Sequence, residues 1–146
     1  MKTIKLLSLA TFALMLTWNT SVAQNYKSQA TGLNVESSGV IKDQSGTTLG
    51  TISKDSIIKN HSGEKIAFID KNGNLVSKDG KVLGKAAKNG DFHNINGEVE
   101  FTVKPSTGDQ CAVYDKSGKV VAYIHNSYKA QAGCIAHCMQ TKMNMK

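Results

Sequence analysis

The side chains with the most chemistry to offer crowd into one short stretch: His125, Cys134, His137 and Cys138, with Cys111 upstream. Thiolate and imidazole are the ligands that zinc and haem iron take. Cys134 and Cys138 stand four apart, which places both on one face of a helix, with His137 adjacent. The order Cys134-Ile135-Ala136-His137-Cys138 is not the Cys-x-x-Cys-His of haem attachment. No second ligand pair occurs elsewhere in the chain. The expectation is therefore no metal and no cofactor, with those four residues as the candidates for the alternative, a metal- or haem-binding protein. His125 reads as a polar residue at a strand-to-helix junction, bonding a backbone group.

The thiols have a second use. In an oxidising compartment, Cys111 paired with Cys134 or Cys138 would staple the C-terminal segment to the strand that Cys111 opens. Closing such a loop contributes roughly 3 kcal/mol in the chain-entropy model. A bond between Cys134 and Cys138 inside one helix is geometrically awkward. Three is an odd number, so one thiol is left over.

Other motifs carry less. Asp70-Lys71-Asn72-Gly73-Asn74 resembles the start of a calcium loop, but its glycine comes too early and no closing glutamate follows. Glu98 and Glu100 face one side of a strand, as an exposed face also would. No Gly-x-Ser-x-Gly nucleophile motif and no phosphate loop occur. No catalytic residue is assigned, and a small hydrolase is the weaker alternative.

What positions these groups is a repeat. Gly46, Gly63, Gly80 and Gly97 stand seventeen apart, and Gly118 follows after twenty-one. A period of this kind marks a repeat architecture. Aligned on these turn glycines, Ile41, Ile58, Leu75, Phe92 and Val113 form one column. Leu49, Ile66, Leu83, Glu100 and Val121 form another, and Ile52, Ile69, Ala86, Val103 and Ile124 a third. The extra residues of the last repeat fall at Lys104–Gln110, around the only proline, as an inserted loop. Short apolar runs between turn signals predict one β-hairpin per repeat. Asp43, Asn60, Ser77, Asn94 and Asp115 stand three before each glycine, where their side chains bond the backbone of the turn.

A lone hairpin is marginal, so the units must pack together. The expectation is all-β: five hairpins closed around a pseudo-five-fold axis, with an open solenoid as the competing geometry. Closure removes sheet edges, and solenoids need distinct caps. Leu49 and Ile52 differ by an odd number of positions, so either both strand faces are partly buried or a bulge intervenes. Glu100 breaks its apolar column, which predicts a local shift in the fourth repeat. After Ile124 the period stops. Asn126 or Ser127 can cap a helix, and Tyr128, Ala132, Ile135 and Met139 follow helical spacing. A short α-helix covering one end of the ring is expected, with Gly133 costing about 1 kcal/mol relative to alanine.

Residues 1–23 read as a signal peptide: Lys2 and Lys5, an apolar stretch from Leu6 to Leu16, then Ser21-Val22-Ala23 before Gln24. The apolar stretch is too short to span a membrane comfortably. The chain is expected to be exported, periplasmic or secreted, and not membrane-spanning. The organisation expected is 24–38 as a polar leader, 39–125 as the repeat domain, and 126–146 as helix and tail. The net charge is +7, and every basic residue is lysine. Arginine is the residue suited to bidentate phosphate recognition, so a lysine-only surface argues against nucleic acid. It leaves attraction to an anionic surface or a glycan.

The pattern Val40-Ile41-Lys42-Asp43-Gln44-Ser45-Gly46-Thr47-Thr48-Leu49-Gly50-Thr51-Ile52, with the ending His125-Asn126-Ser127-Tyr128-Lys129-Ala130-Gln131-Ala132 and Cys134-x-x-His137-Cys138, resembles the five-fold β-flower proteins of Bacteroidetes-type bacteria. The resemblance covers about residues 39–139. It implies a five-petalled all-β fold in an exported protein and brings no activity, cofactor or catalytic residue. Ser56, where other turns have glycine, and Gly133 inside the helix depart from it. The function expected is an exported, non-enzymatic, monomeric structural or binding module.

Overall fold

The computed structural model describes residues 32–143. It is an all-β closed barrel of eleven strands with one short helix at its C-terminal end. Strand β1 is Leu33–Val35. It is followed by β2 (Val40–Lys42), β3 (Thr48–Ile52), β4 (Ile57–Asn60), β5 (Lys65–Ile69), β6 (Asn74–Ser77), β7 (Val82–Ala86), β8 (Phe92–Asn94), β9 (Val99–Pro105), β10 (Gln110–Tyr114) and β11 (Val120–His125). Consecutive strands pair antiparallel. β1 closes the ring by lying antiparallel to β2 and parallel to β11, with Leu33 opposite Ala122 and Val35 opposite Ile124. The open solenoid is thereby excluded. The strand in the polar leader is what seals the barrel.

The turns explain the glycine period. Gly46, Gly63, Gly80, Gly97 and Gly118 all have φ between 82° and 89°, and nothing lies within 4 Å of where a Cβ would stand. Glycine is used there for its left-handed backbone and not for space. Asp43 Oδ1 accepts from the backbone of Ser45 and Thr47, and Asp115 Oδ1 accepts from Ser117 and Lys119 in the same manner. The segment read as an inserted loop is shorter than expected. β9 runs on through Lys104 and Pro105, with Pro105 opposite Cys111.

The two apolar columns that could not both face inward are reconciled by a recurring bulge. Ile41 lies opposite Gly50, and Lys42 opposite Thr48, so Leu49 is an extra residue. Ile66, Leu83, Glu100 and Val121 are skipped in the same way in the pairs β4–β5, β6–β7, β8–β9 and β10–β11. Facing them, Ile41, Ile58, Leu75, Phe92 and Val113 are fully buried. A bulge leaves one residue unpaired and re-aims its side chain. Leu49, Ile66 and Leu83 use that freedom to pack against the core from its margin.

The helix α1 (Ala132–Met143) follows a 3₁₀ segment, Asn126–Gln131. The segment's cap is His125, whose Nδ1 accepts from Ser127 N at 3.2 Å, rather than Asn126 or Ser127. Tyr128, Ala132, Cys134, Ile135, Ala136, Cys138 and Met139 are all buried and share one core with the strands. Positions on nearly every side of α1 are buried, so it sits in the core as a plug. A one-sided lid would bury only a stripe.

Docking of α1 interrupts the repeat at one place. Ile52 N donates to Gly39 O, Ile69 N to Ser56 O, and Ala86 N to Gly73 O, each thirteen residues on. In the fourth repeat the carbonyl of Gly90 is taken by Gly133 N of the helix, at 3.0 Å. Val103 N, displaced from that role, donates to Asp91 Oδ1 at 2.7 Å instead. The Asp91 carboxylate thereby supplies the backbone N–H of Val103 with the partner that the other repeats take from the main chain.

Candidate functional site

The fourth bulge is the one that carries a charge. Glu100 stands where the other pairs have Leu49, Ile66, Leu83 and Val121. Its Oε2 lies 2.9 Å from Nδ1 of His137 on α1, and the two side chains are 27% and 20% exposed. The His137 ring rests on Phe92, with centroids 4.5 Å apart and planes tilted by 31°. Phe92 is fully buried and also contacts Phe101, at 6.4 Å between centroids. The imidazole is thus fixed from below by an aromatic ring and from the side by a carboxylate.

A groove of about 430 Å³ opens over this pair, lined by Glu100, His137, Lys116, Ser117, Gln140 and Thr141. With Asp115 also at its wall, it presents two carboxylates, an imidazole, an ammonium, two hydroxyls and an amide within one depression. The hydroxyls are already engaged. Ser117 Oγ donates to Asp115 Oδ1 at 2.6 Å, and Thr141 Oγ1 donates to the carbonyl of His137 at 2.8 Å. Neither hydroxyl is bonded to the imidazole as an activated nucleophile would be. The groove is equipped to exchange hydrogen bonds with a polar ligand.

The thiols are placed differently from expectation. Cys111, Cys134 and Cys138 are buried thiols with no disulfide among them, so the bond expected from Cys111 to Cys134 or Cys138 is not formed in this structure. Cys111 lies in β10, and its Sγ donates to Ile124 O at 3.4 Å. Burial pushes the Cys111 thiol up. Burial raises Cys134 much further, with the neighbouring Cys138 adding to it. Thiols so disfavoured as thiolates behave as small apolar core groups.

Of the four candidate ligands, His125 serves the backbone at the strand-to-helix junction and His137 serves Glu100. Among the described residues no group of three or more His, Cys, Asp or Glu side chains could hold a metal ion. Asp70, from the calcium-like loop, accepts from the backbone of Asn72 and Asn74 as a turn residue. Glu100 and His137 were each visible in the sequence. Their partnership was not, because 37 residues separate them and only docking of α1 joins them.

Among known families, one described as "Protein of unknown function (DUF3659)" matches residues 28–91. That is less than half of the chain, and it ends before Phe92, Glu100 and α1, so the groove lies wholly beyond it. The match is to a family of unknown function and does not reach the ending that resembles the β-flower proteins. No curated protein and no solved structure matches the chain. Among the described residues no helix is long and apolar enough to cross a membrane. The expected signal peptide, 1–23, lies outside the described residues.

Proposed function

We propose that the chain is an exported, non-enzymatic binding module and that the groove over Glu100 and His137 is its binding site. One observation carries the reading. At the bulge position, where the barrel elsewhere accepts an apolar side chain, this repeat has a carboxylate paired to a half-buried imidazole beneath an open groove. Such a pair gives up hydration, and an apolar residue of similar size would serve stability as well or better. A local rule broken without gain in stability marks a functional position. The neutral and charged hydrogen-bonding groups together suit a hydroxyl-rich ligand, and an oligosaccharide is the class that fits them. The signal-peptide reading of residues 1–23 supports export to the periplasm or beyond. The repeat spacing and the recurrent bulge support a pseudo-five-fold arrangement of the hairpins, in keeping with the β-flower resemblance.

The test is titration of the folded protein with a panel of bacterial cell-surface oligosaccharides, read by NMR. Shifts concentrated on His137, Ser117 and Thr141, and abolished in Glu100→Leu, are expected. Shifts of equal size in that variant, or shifts confined to another face, would refute the assignment.

A further inference from the structure

Among the described residues three large apolar side chains are exposed: Val82 at 47%, Ile95 at 68% and Val99 at 43%. They are neighbours. Val82 opens β7, Ile95 lies in the turn between β8 and β9, and Val99 opens β9. Val82 and Ile95 line one depression of about 640 Å³ together with Lys85 and His93, and His93 lies opposite Val99 in the sheet. Ile95 is the least explicable of the three. The same turn position holds Gln44, His61, Lys78 and Lys116 in the other repeats, as turn chemistry favours. Here it holds an isoleucine that buries little of itself.

Around this apolar patch the charge is unbalanced. Lys78, Lys81 and Lys85 are exposed on the β6–β7 hairpin. Three carboxylates are near, against four lysines once Lys116 is counted: Asp70, within electrostatic reach of Lys85, is engaged by Asn72 and Asn74 in its own turn. Asp79 is exposed, and Glu98 is held by Lys116 at 3.5 Å. We propose that this patch docks the protein on an anionic lipid bilayer, with Val82, Ile95 and Val99 entering the interface and Lys78, Lys81 and Lys85 meeting the headgroup phosphates. Aliphatic tips ringed by lysine are what such a surface accepts. A protein partner fits the patch less well. Protein interfaces draw on aromatic residues and arginine and are depleted of lysine. The depression has no aromatic side chain except that of His93, and the chain has no arginine. Without Lys2 and Lys5 of the proposed signal peptide the net charge falls from +7 to +5, and it steers the whole molecule the same way. The site is separate from the Glu100–His137 groove and does not depend on it.

The experiment is co-flotation of the folded protein with vesicles of phosphatidylcholine alone or mixed equally with phosphatidylglycerol. Binding is expected to the mixed vesicles only and to fall as salt is raised. Replacing Lys78, Lys81 and Lys85 by glutamine should weaken partitioning on the order of a hundredfold. A Val82→Thr/Ile95→Ser variant, whose changes are on the surface and whose fold is checked by circular dichroism, should also lose binding. Absence of binding to the mixed vesicles overturns the proposal. So does equal binding to both vesicles, or binding that survives Val82→Thr/Ile95→Ser. A concentration-dependent dimer that this variant abolishes, without vesicle binding, would instead make the patch a contact between copies.

Discussion

Replacing Gly133 by alanine separates two ways of reading the helix. Helix propensity alone makes Gly133→Ala stabilising by about 1 kcal/mol. The packing reverses the sign. A Cβ on Gly133 would stand 2.6 Å from Gly90 O, 2.7 Å from Phe92 Cβ and 2.8 Å from Phe92 N. Two of these are backbone atoms of the barrel, and none is the far end of a flexible side chain. Relief requires α1 to move away from β8, which lengthens the 3.0 Å bond from Gly133 N to Gly90 O. Overpacking of this kind costs about 1–3 kcal/mol, and loss of the bond costs about 1 kcal/mol more. After subtracting the propensity gain, the variant should be about 1–3 kcal/mol less stable. Urea denaturation followed by far-ultraviolet circular dichroism measures it, with an unchanged slope certifying that only stability moved. A Gly133→Ala protein as stable as the parent, or more so, would refute the close docking of α1 against Gly90 and Phe92.

Ser56 is the one non-glycine residue described with positive φ, at 61°, and its Oγ accepts from Gln131 Nε2 at 3.2 Å. Ser56→Gly should relieve backbone strain while losing that bond, and Ser56→Ala should lose the bond and keep the strain. Thermal melts should therefore rank glycine above alanine by about 1 kcal/mol. Phe92→Ala removes the ring that supports His137 and fills the core, and should cost about 3–5 kcal/mol in equilibrium unfolding. The folded state holds the carboxyls of Asp43, Asp70 and Asp115 below their ordinary 3.8. For Asp43 and Asp115 the largest cause is a serine hydroxyl in the turn, and for Asp70 it is the backbone of Asn74. Stability from these groups is present above the ordinary value and lost as pH falls through the lowered one. Melting temperature should accordingly drop below about pH 4, and replacing the three aspartates by asparagine should flatten that drop. Native protein should resist thiol alkylation at mildly alkaline pH and take up three labels once unfolded, since all three cysteines are buried. Rapid labelling of Cys134 in the native state would contradict its burial.

Much of the barrel was legible because one period governed it. Seventeen-residue spacing of glycines located the turns, and the turn acids before them located the hairpin ends. The odd separation of Leu49 and Ile52 already required a bulge or two buried faces, and the bulge at Leu49 supplied the first. What could not be read was whatever the helix imposes. Gly133 reads as a helix weakener until Gly90 and Phe92 are seen against it. Glu100 reads as a fault in a column until His137 arrives from 37 residues away. The helix start was misplaced because a 3₁₀ turn capped by His125 comes first, and local capping preferences do not distinguish it from an α-helical start. The thiols were expected to cross-link on the count of cysteines and the compartment. Pairing also depends on how two side chains face each other across the core, which sequence spacing does not supply.

The parallel seam between β1 and β11 gives the molecule a clasp made from its two ends. Leu33 meets Ala122 at a sequence separation of 89, so no shorter stretch of chain can shut the ring. A chain emerging N-terminus first holds its first strand open until the last one appears. Long-range closure of this sort is slow, because loop entropy is lost before the contact is made. A nascent or shortened copy therefore stays an open ribbon with exposed strand edges, threadable through a narrow pore and readily cut by proteases. Among the described residues, only the closed ring has no sheet edge to offer.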